Sequence, residues 1–306
     1  MDTKDLKDIQ SEVLKKSKII DTVIFIIWAI IMFLLYKKGV NLQAFFFVTV
    51  FMMVIRMFIK YIFLNKQITE FNNGFKNKYV LSSLNKIFTD LKYFPDRGLD
   101  YSVIANTRMM DMGDRYSSND YFEGKYKNVN VKQADVHIEE EQQTTDSDGH
   151  TTTTWVTIFE GKWMIFDFNK TFTANVQVSQ KGFGNSRVNN WGEKNKYKKV
   201  EMEDTEFNKM FRIYAQNEHD AFYILTPALM EKIKKLASCV NGKLLLCFID
   251  NELHIGLYNY KDSFEHSVYK KIDEEKINDD ISKDIKIITN FVDELDLDNS
   301  LFRREV

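Results

Sequence analysis

Cysteine and proline are almost missing from this chain, with two of each among 306 residues. Cys239 and Cys247 show no paired-cysteine metal spacing, and two thiols in a chain this long argue against a disulfide-stapled secreted domain. Both are expected to be reduced and largely buried. The two prolines leave no room for long extended linkers. An excess of one charge is lacking too: 42 Lys and Arg against 44 Asp and Glu leave a net charge of −2, which argues against a dedicated nucleic-acid binder. There is no phosphate-cradling glycine loop with lysine, no dinucleotide fingerprint and no serine-elbow pattern. The hydrophobic share, 44%, is ordinary; its distribution is not.

Residues 19–36, IIDTVIFIIWAIIMFLLY, carry a single charge, Asp21, at their margin. A helix of that length covers most of a hydrocarbon core about 30 Å thick. A cleaved signal peptide is the competing reading. It fits poorly, because Lys37-Lys38 follow where a small-residue cleavage site should stand. Residues 44–64, AFFFVTVFMMVIRMFIKYIFL, form a second apolar run interrupted by Arg56 and Lys60. The KKGVNLQ between them allows only a tight reversal. Lysines and arginines gather before the first run (Lys4, Lys7, Lys15, Lys16, Lys18) and late in or after the second (Arg56, Lys60, Lys66, Lys76, Lys78). Only Lys37 and Lys38 lie in the reversal, so both termini and the chain after Asn65 are expected on the cytoplasmic side of the plasma membrane. An interfacial helix is the alternative for the second run.

Arg56 near mid-bilayer costs roughly 2.5–3.5 kcal/mol. Arg56 and Lys60, four residues apart, share a helix face. Folding the chain back about Val40 brings Asp21 beside Lys60 and within a turn of Arg56. An inner-leaflet charge pair of Asp21 with Arg56 and Lys60 is therefore expected, with snorkelling of the two cations as the other account.

The organisation read along the chain is a cytoplasmic N-terminal segment (1–18), a two-span hairpin (19–64), an amphipathic connecting helix (65–98) and a soluble α+β domain (99–306). Apolar positions at helical spacing (Ile68, Phe71, Phe75, Tyr79, Leu84, Phe88, Leu91) carry the connecting helix up to Pro95 and Gly98. Strands are expected over 121–126, 129–138, 155–168 and 171–178, rich in β-branched and aromatic residues, then over 198–202, 207–214 and 222–225. The stretches 144–154 and 181–196 read as long loops. Thr226 and Pro227 suit the cap and first position of a helix. Asp250-Asn251 suits a two-residue hairpin turn between strands 244–249 and 253–258. Ile277, Ile281, Ile285, Ile288, Val292 and Leu295 make the apolar stripe of a closing helix whose acidic face is solvated. The fold class is α+β: an antiparallel sheet with helices at entry, middle and end.

Candidate chemistry is thin. Asp146 to Gly149 opens like a calcium loop, but Thr151 and Thr157 stand where that loop needs glycine and glutamate. His137, Glu139 and Glu141 alternate along a strand as ligands would, and exposed strand polars explain them better. His254 and Cys247 lie on the two strands of the last hairpin as a conceivable base and nucleophile, with their register open and no residue evident to orient the histidine. The lysines of KNKYKK (194–199) suit a lipid phosphate better than nucleic acid, and a charged loop better than either. No catalytic, cofactor-binding or metal-binding residue is assigned.

Abundant Lys, Asn, Ile, Phe and Tyr fit an AT-rich bacterial coding sequence. FPDRGLD (94–100), YSSNDYFEGKYKNVNVKQADV (116–136), FEGKWMIFDFNK (159–170), FNKMFRIYAQNEHDAFYILTP (207–227) and SFEH (263–266) follow the apolar hairpin in order. Together they resemble a bacterial family known as a domain of unknown function, numbered 3137. The resemblance implies a membrane-anchored protein without assigned catalytic residues, with membrane proteins of the LemA type as partners. The function expected is a membrane-tethered, non-enzymatic cytoplasmic module that binds a protein partner or lipid at the inner face. A tethered hydrolase with a site assembled from His254, Cys247 and His137 is the alternative.

Overall fold

The computed structural model describes residues 3–167, 175–183 and 197–298. The chain divides into two compact units: residues 1–82 with 265–278, and residues 83–264 with 279–306.

The first unit is an antiparallel pair of long helices, α1 (Thr3–Lys37) and α2 (Leu42–Phe75). At 1.5 Å per residue each is about 50 Å long, more than a bilayer core requires. The reversal is tight: Gly39 takes φ +64°, and the Asn41 side chain caps α2 by accepting from Ala44 N at 3.2 Å. In the early part of α1, Leu6, Gln10, Val13 and Ser17 are buried at alternating four- and three-residue spacing, and Leu64, Phe71 and Phe75 are buried on α2. Segment 265–278 belongs to this base of the hairpin. Gln10 Nε2 donates to Val268 O at 2.8 Å and to Lys270 O at 2.6 Å, and the His266 ring stacks on Phe75 at 5.2 Å. Nearer the tip the pattern inverts. In the most apolar stretch of each helix only 6% of residues are buried, and Phe25, Ile26, Phe33, Phe47, Phe51 and Phe58 are exposed. Both helices are thus long and apolar enough to cross a membrane.

α2 runs without interruption into a π turn (Lys76–Val80) and then α3 (Leu81–Asn85). The connecting helix therefore stops short of Pro95, and residues expected at its end form strand β1 (Thr89–Phe94). The π turn inserts an extra residue per turn and shifts the helical phase. Phe88 and Leu91 so keep an apolar spacing that a strand satisfies as well. After α4 (Tyr101–Ala105) come β2 (Arg115–Tyr126), β3 (Val129–Thr145), β4 (Thr151–Asp167), β5 (Val176–Gln180) and β6 (Lys198–Val200). Then follow α5 (Thr205–Met210), β7 (Phe211–Ala215), α6 (Glu218–Ile224), α7 (Pro227–Cys239), β8 (Lys243–Ile249), β9 (Glu252–Tyr258) and α8 (Glu274–Leu295).

The nine strands form one antiparallel sheet in the order β1-β2-β3-β4-β9-β8-β5-β7-β6. With the helices around it, this is the α+β class that the alternating pattern implies. Trp163 centres one core, fully buried among Ala134, Val136, Phe159, Ile165, Leu245 and Cys247. Gly256 makes room for it, because a Cβ there would meet the indole at 2.8 Å. On the opposite face Phe166 packs with Phe291 of α8. Central strands are covered on both faces, so β8 reads as a continuous apolar run after Lys243, and β9 after Glu252 is broken only by His254.

Four further expectations need correction. Residues 144–154 are not a long loop: β3 and β4 pair out to Thr145 and Thr151. Asp146 closes the short turn between them by accepting from Asp148 N and His150 N. Residues 207–210 are helical, capped by Asp204, and residues 222–224 belong to α6, capped by Asn217. In both places aromatic content suggests a strand while the cap residue starts a helix. Cys239 is exposed. It lies two residues, about 200° round the helix, beyond the buried Ala237 of α7. The stripe of α8, the Thr226 cap with Pro227, and the Asp250-Asn251 turn with both φ positive are where the sequence puts them. Residues 171–174 of one expected strand, 184–196 of the second loop, Lys194 to Lys196 of the basic stretch and the last residues of FEGKWMIFDFNK lie outside the described residues.

Candidate functional site

The polar residues of the hairpin meet in pairs. Trp28 Nε1 donates to Thr49 Oγ1 at 3.2 Å, and Gln67 Nε2 donates to Glu12 Oε1 at 2.9 Å. Between these two levels lies Asp21. Arg56 Nε donates to its Oδ1 at 2.6 Å and Lys60 Nζ to its Oδ2 at 2.8 Å. One register about the Gly39 reversal accounts for all of these pairs. The i, i+4 spacing of Arg56 and Lys60 aims both cations at the same carboxylate, one to each oxygen. Asp21, Arg56 and Lys60, the three site residues named from the sequence, are thus brought together. The group holds one negative and two positive charges.

Directly beside it, α1 and α2 part to leave a cleft of about 420 Å³, lined by Asp21, Ile24, Phe25, Trp28, Thr49, Met52, Met53 and Arg56. Its charged end is the Asp21–Arg56 pair. The rest is apolar as far as the Trp28–Thr49 hydrogen bond, about two turns closer to the tip. Thr49 Oγ1 itself donates to Phe45 O at 2.8 Å, so the polar atoms at that end are satisfied without a ligand.

In the sheet unit, the residues nominated as chemistry are held in ways that do not activate them. Cys247 and His254 are register partners on β8 and β9. The Cys247 thiol is fully buried and directed at Thr107 O at 3.7 Å, and burial pushes its pKa well above the usual thiol range, the reverse of an activated nucleophile. His254 is fixed from both sides: Trp163 Nε1 lies 3.3 Å from its Nδ1, and Glu252 Oε2 lies 3.5 Å from its Nε2. Glu252 is held ionised, its pKa lowered to about 2 by His254 and Lys132. His137 stands 3.9 Å from Glu139. The β3–β4 register shifts between Ile138 and Glu139, and Glu141 instead accepts from Gln143 at 2.8 Å. The three do not converge as ligands.

One buried polar group escapes the sequence reading. Asp135 and Lys162 are direct cross-strand partners on β3 and β4, and both are buried. Lys162 Nζ lies 3.8 Å from Asp135 Oδ1, donates to Ser263 Oγ and sits 4.6 Å from the centre of the Phe264 ring. Asp135 Oδ2 accepts from Ser263 N at 2.6 Å. Burial raises the Asp135 pKa to about 7 against the pull of Lys162. A serine beside a lysine invites comparison with a nucleophile–base pair, but Ser263 is 2% exposed and Lys162 fully buried, so no substrate reaches them. The group pins segment 263–264 to the sheet. Along each strand the pair stands close to another charge, Lys132 or Glu160, that stays partly exposed, so no local pattern sets Asp135 and Lys162 apart.

No curated protein matches this chain. Among solved structures, one titled crystal structure of the mycobacterial trehalose monomycolate transport factor A, TtfA, matches 73% of this chain and 96% of its own. Identity is 9% and the TM-score 0.39, so nothing is transferred from it. Residues 157–297, from within β4 to just past α8, match the model of a family described as protein of unknown function (DUF3137). Over this segment, a little under half of the chain, the sequence resembles the DUF3137 family.

Proposed function

We propose that this protein is a membrane-tethered, non-enzymatic module: α1 and α2 cross the bilayer as a hairpin and hold the sheet unit at the cytoplasmic face, where it binds a membrane-protein partner. One observation carries the tether. Large apolar side chains surround both helices for the depth of a bilayer and are left uncovered, which in water would form an exposed patch far beyond what soluble proteins tolerate. Orientation rests on the lysines flanking the open end of the hairpin against the two at its tip. The locked states of Cys247 and His254 favour binding over hydrolysis, and the resemblance names a LemA-type membrane protein as the partner.

Alkaline extraction of membranes from cells making the full chain tests the tether. Retention in the pellet is expected, and release would remove it. Photo-crosslinking from exposed Val156 and Tyr260 tests the binding role. A discrete adduct with a second membrane protein is expected. A hydrolytic activity of the purified protein abolished by Cys247→Ser and His254→Gln would overturn it.

A further inference from the structure

We infer that the cleft between α1 and α2 is a binding site for one anionic phospholipid, its phosphate on Arg56 and an acyl chain along Ile24, Phe25, Met52 and Met53. The inference rests on the reading that the hairpin spans the bilayer.

Three observations carry it. The first is charge. Asp21 neutralises one of the two cations it binds, leaving the cluster with one positive charge in excess. Arg56 uses only its Nε on Asp21. Among the described residues its two terminal nitrogens have no protein partner, and its side chain is 49% exposed. An uncompensated charge at membrane depth is expensive, and a guanidinium edge with free donors matches a phosphate geometrically. Arg56 stands about 25 Å of helix from the Gly39 reversal, toward the inner edge of a core about 30 Å thick, where lipid phosphates lie.

The second observation is polarity along the cleft. Charge stands at the end toward the open base of the hairpin, and apolar side chains continue toward the tip. That is the direction in which a lipid of the same leaflet lies, headgroup outward and chain inward.

The third is size. At about 420 Å³ the cleft falls within the range of small-ligand pockets, about 300–1,000 Å³. It extends over roughly two helical turns, enough for part of one acyl chain. A partner helix would instead lie along the whole hairpin. The excess positive charge selects a headgroup without its own cation, of the phosphatidylglycerol type, over phosphatidylcholine.

The test uses the full chain in nanodiscs of phosphatidylcholine containing spin-labelled phosphatidylglycerol or spin-labelled phosphatidylcholine. The readout is the motionally restricted fraction of each probe. The wild type is expected to restrict phosphatidylglycerol about fivefold more than phosphatidylcholine, the factor that one basic residue near an anionic surface supplies. Arg56→Gln should bring the two probes level, and Arg56→Lys should keep much of the preference. Met53→Trp fills the cleft without touching the charges, and should lower the restricted fraction of phosphatidylglycerol. Equal restriction of both lipids by the wild type, or a preference unchanged in Arg56→Gln and Met53→Trp, would overturn the site. So would a stable dimer whose second hairpin shields Arg56 and excludes both probes. Failure of the chain to enter the nanodisc at all would count against the spanning hairpin itself, and is seen before any lipid is measured.

Discussion

The two units solve the burial problem in opposite ways. In the sheet unit, apolar side chains point inward and polar ones that are trapped, such as Asp135 and Lys162, find partners. Toward the tip of the hairpin, apolar side chains point outward, and it is the polar ones that face each other between the helices. The same chain thus reads as two solutes, one made for water and one for hydrocarbon. The difference predicts that the same substitution at an exposed position has unequal consequences in the two places.

The largest effect is expected at Trp163, which is fully buried at the centre of the sheet core. Trp163→Ala should destabilise the sheet unit by about 3–5 kcal/mol, measured by denaturant unfolding in detergent, with no change in membrane retention. Loss of membrane retention on Trp163→Ala would break the separation of roles.

An exposed apolar residue sharpens the contrast. Phe51 is 64% exposed on α2 and Val156 is 40% exposed on β4. Phe51→Asp should cost roughly 2.5–3.5 kcal/mol of membrane insertion, read from the inserted fraction. Val156→Asp on the wet ribbon should stay within about 0.5 kcal/mol of wild type in folding stability. Equal tolerance at both sites would mean that water, not lipid, surrounds α2.

Protonation separates the units further. Asp135 ionises near pH 4 when unfolded and at about 7 when folded. The folded state therefore holds a proton that the unfolded state has lost. The stability this proton contributes is complete below about pH 4 and disappears as pH rises through about 7. Unfolding followed from pH 4 to 8 should show that decline, and Asp135→Asn should remove it from the sheet unit. A decline of equal slope in Asp135→Asn would assign the proton elsewhere.

The smallest effect is the coupling within the hairpin. If the Asp21 pair offsets the insertion cost of Arg56, Asp21→Asn and Arg56→Gln should lose less together than the sum of their separate losses. A coupling on the order of 1 kcal/mol is expected from a double-mutant cycle. Strict additivity would leave snorkelling as the better account.

How much of this was legible depended on the range of the signal. The hairpin was written in run lengths. The juxtaposition of Asp21 with Arg56 and Lys60 followed from one reversal about Val40, because two straight helices propagate a register. Local chemistry marked the Thr226 cap, the Asp250-Asn251 turn and the stripe of α8. Helices α5 and α6 were hidden by Phe207 and Phe222, whose β preference outweighed the caps at Asp204 and Asn217. Strand β1 was hidden by the π turn. The Asp135–Lys162 pair was out of reach because it needs the β3–β4 register, and the apparent loop at 144–154 concealed how far that pairing runs. The cleft beside Arg56 depends on where two helices part, which no spacing encodes.

The spanning hairpin is the claim on which the rest depends, and the chain carries its own reporter for it. Cys239 is an exposed thiol in the sheet unit, while Cys247 is buried. Introducing Lys38→Cys adds a second exposed thiol at the tip of the hairpin. A membrane-impermeant maleimide applied to intact cells should label the cysteine at position 38 and spare Cys239, which should react only after the membrane is opened. Labelling of Cys239 in intact cells, or protection of the tip cysteine from the outside, would contradict the two-span topology.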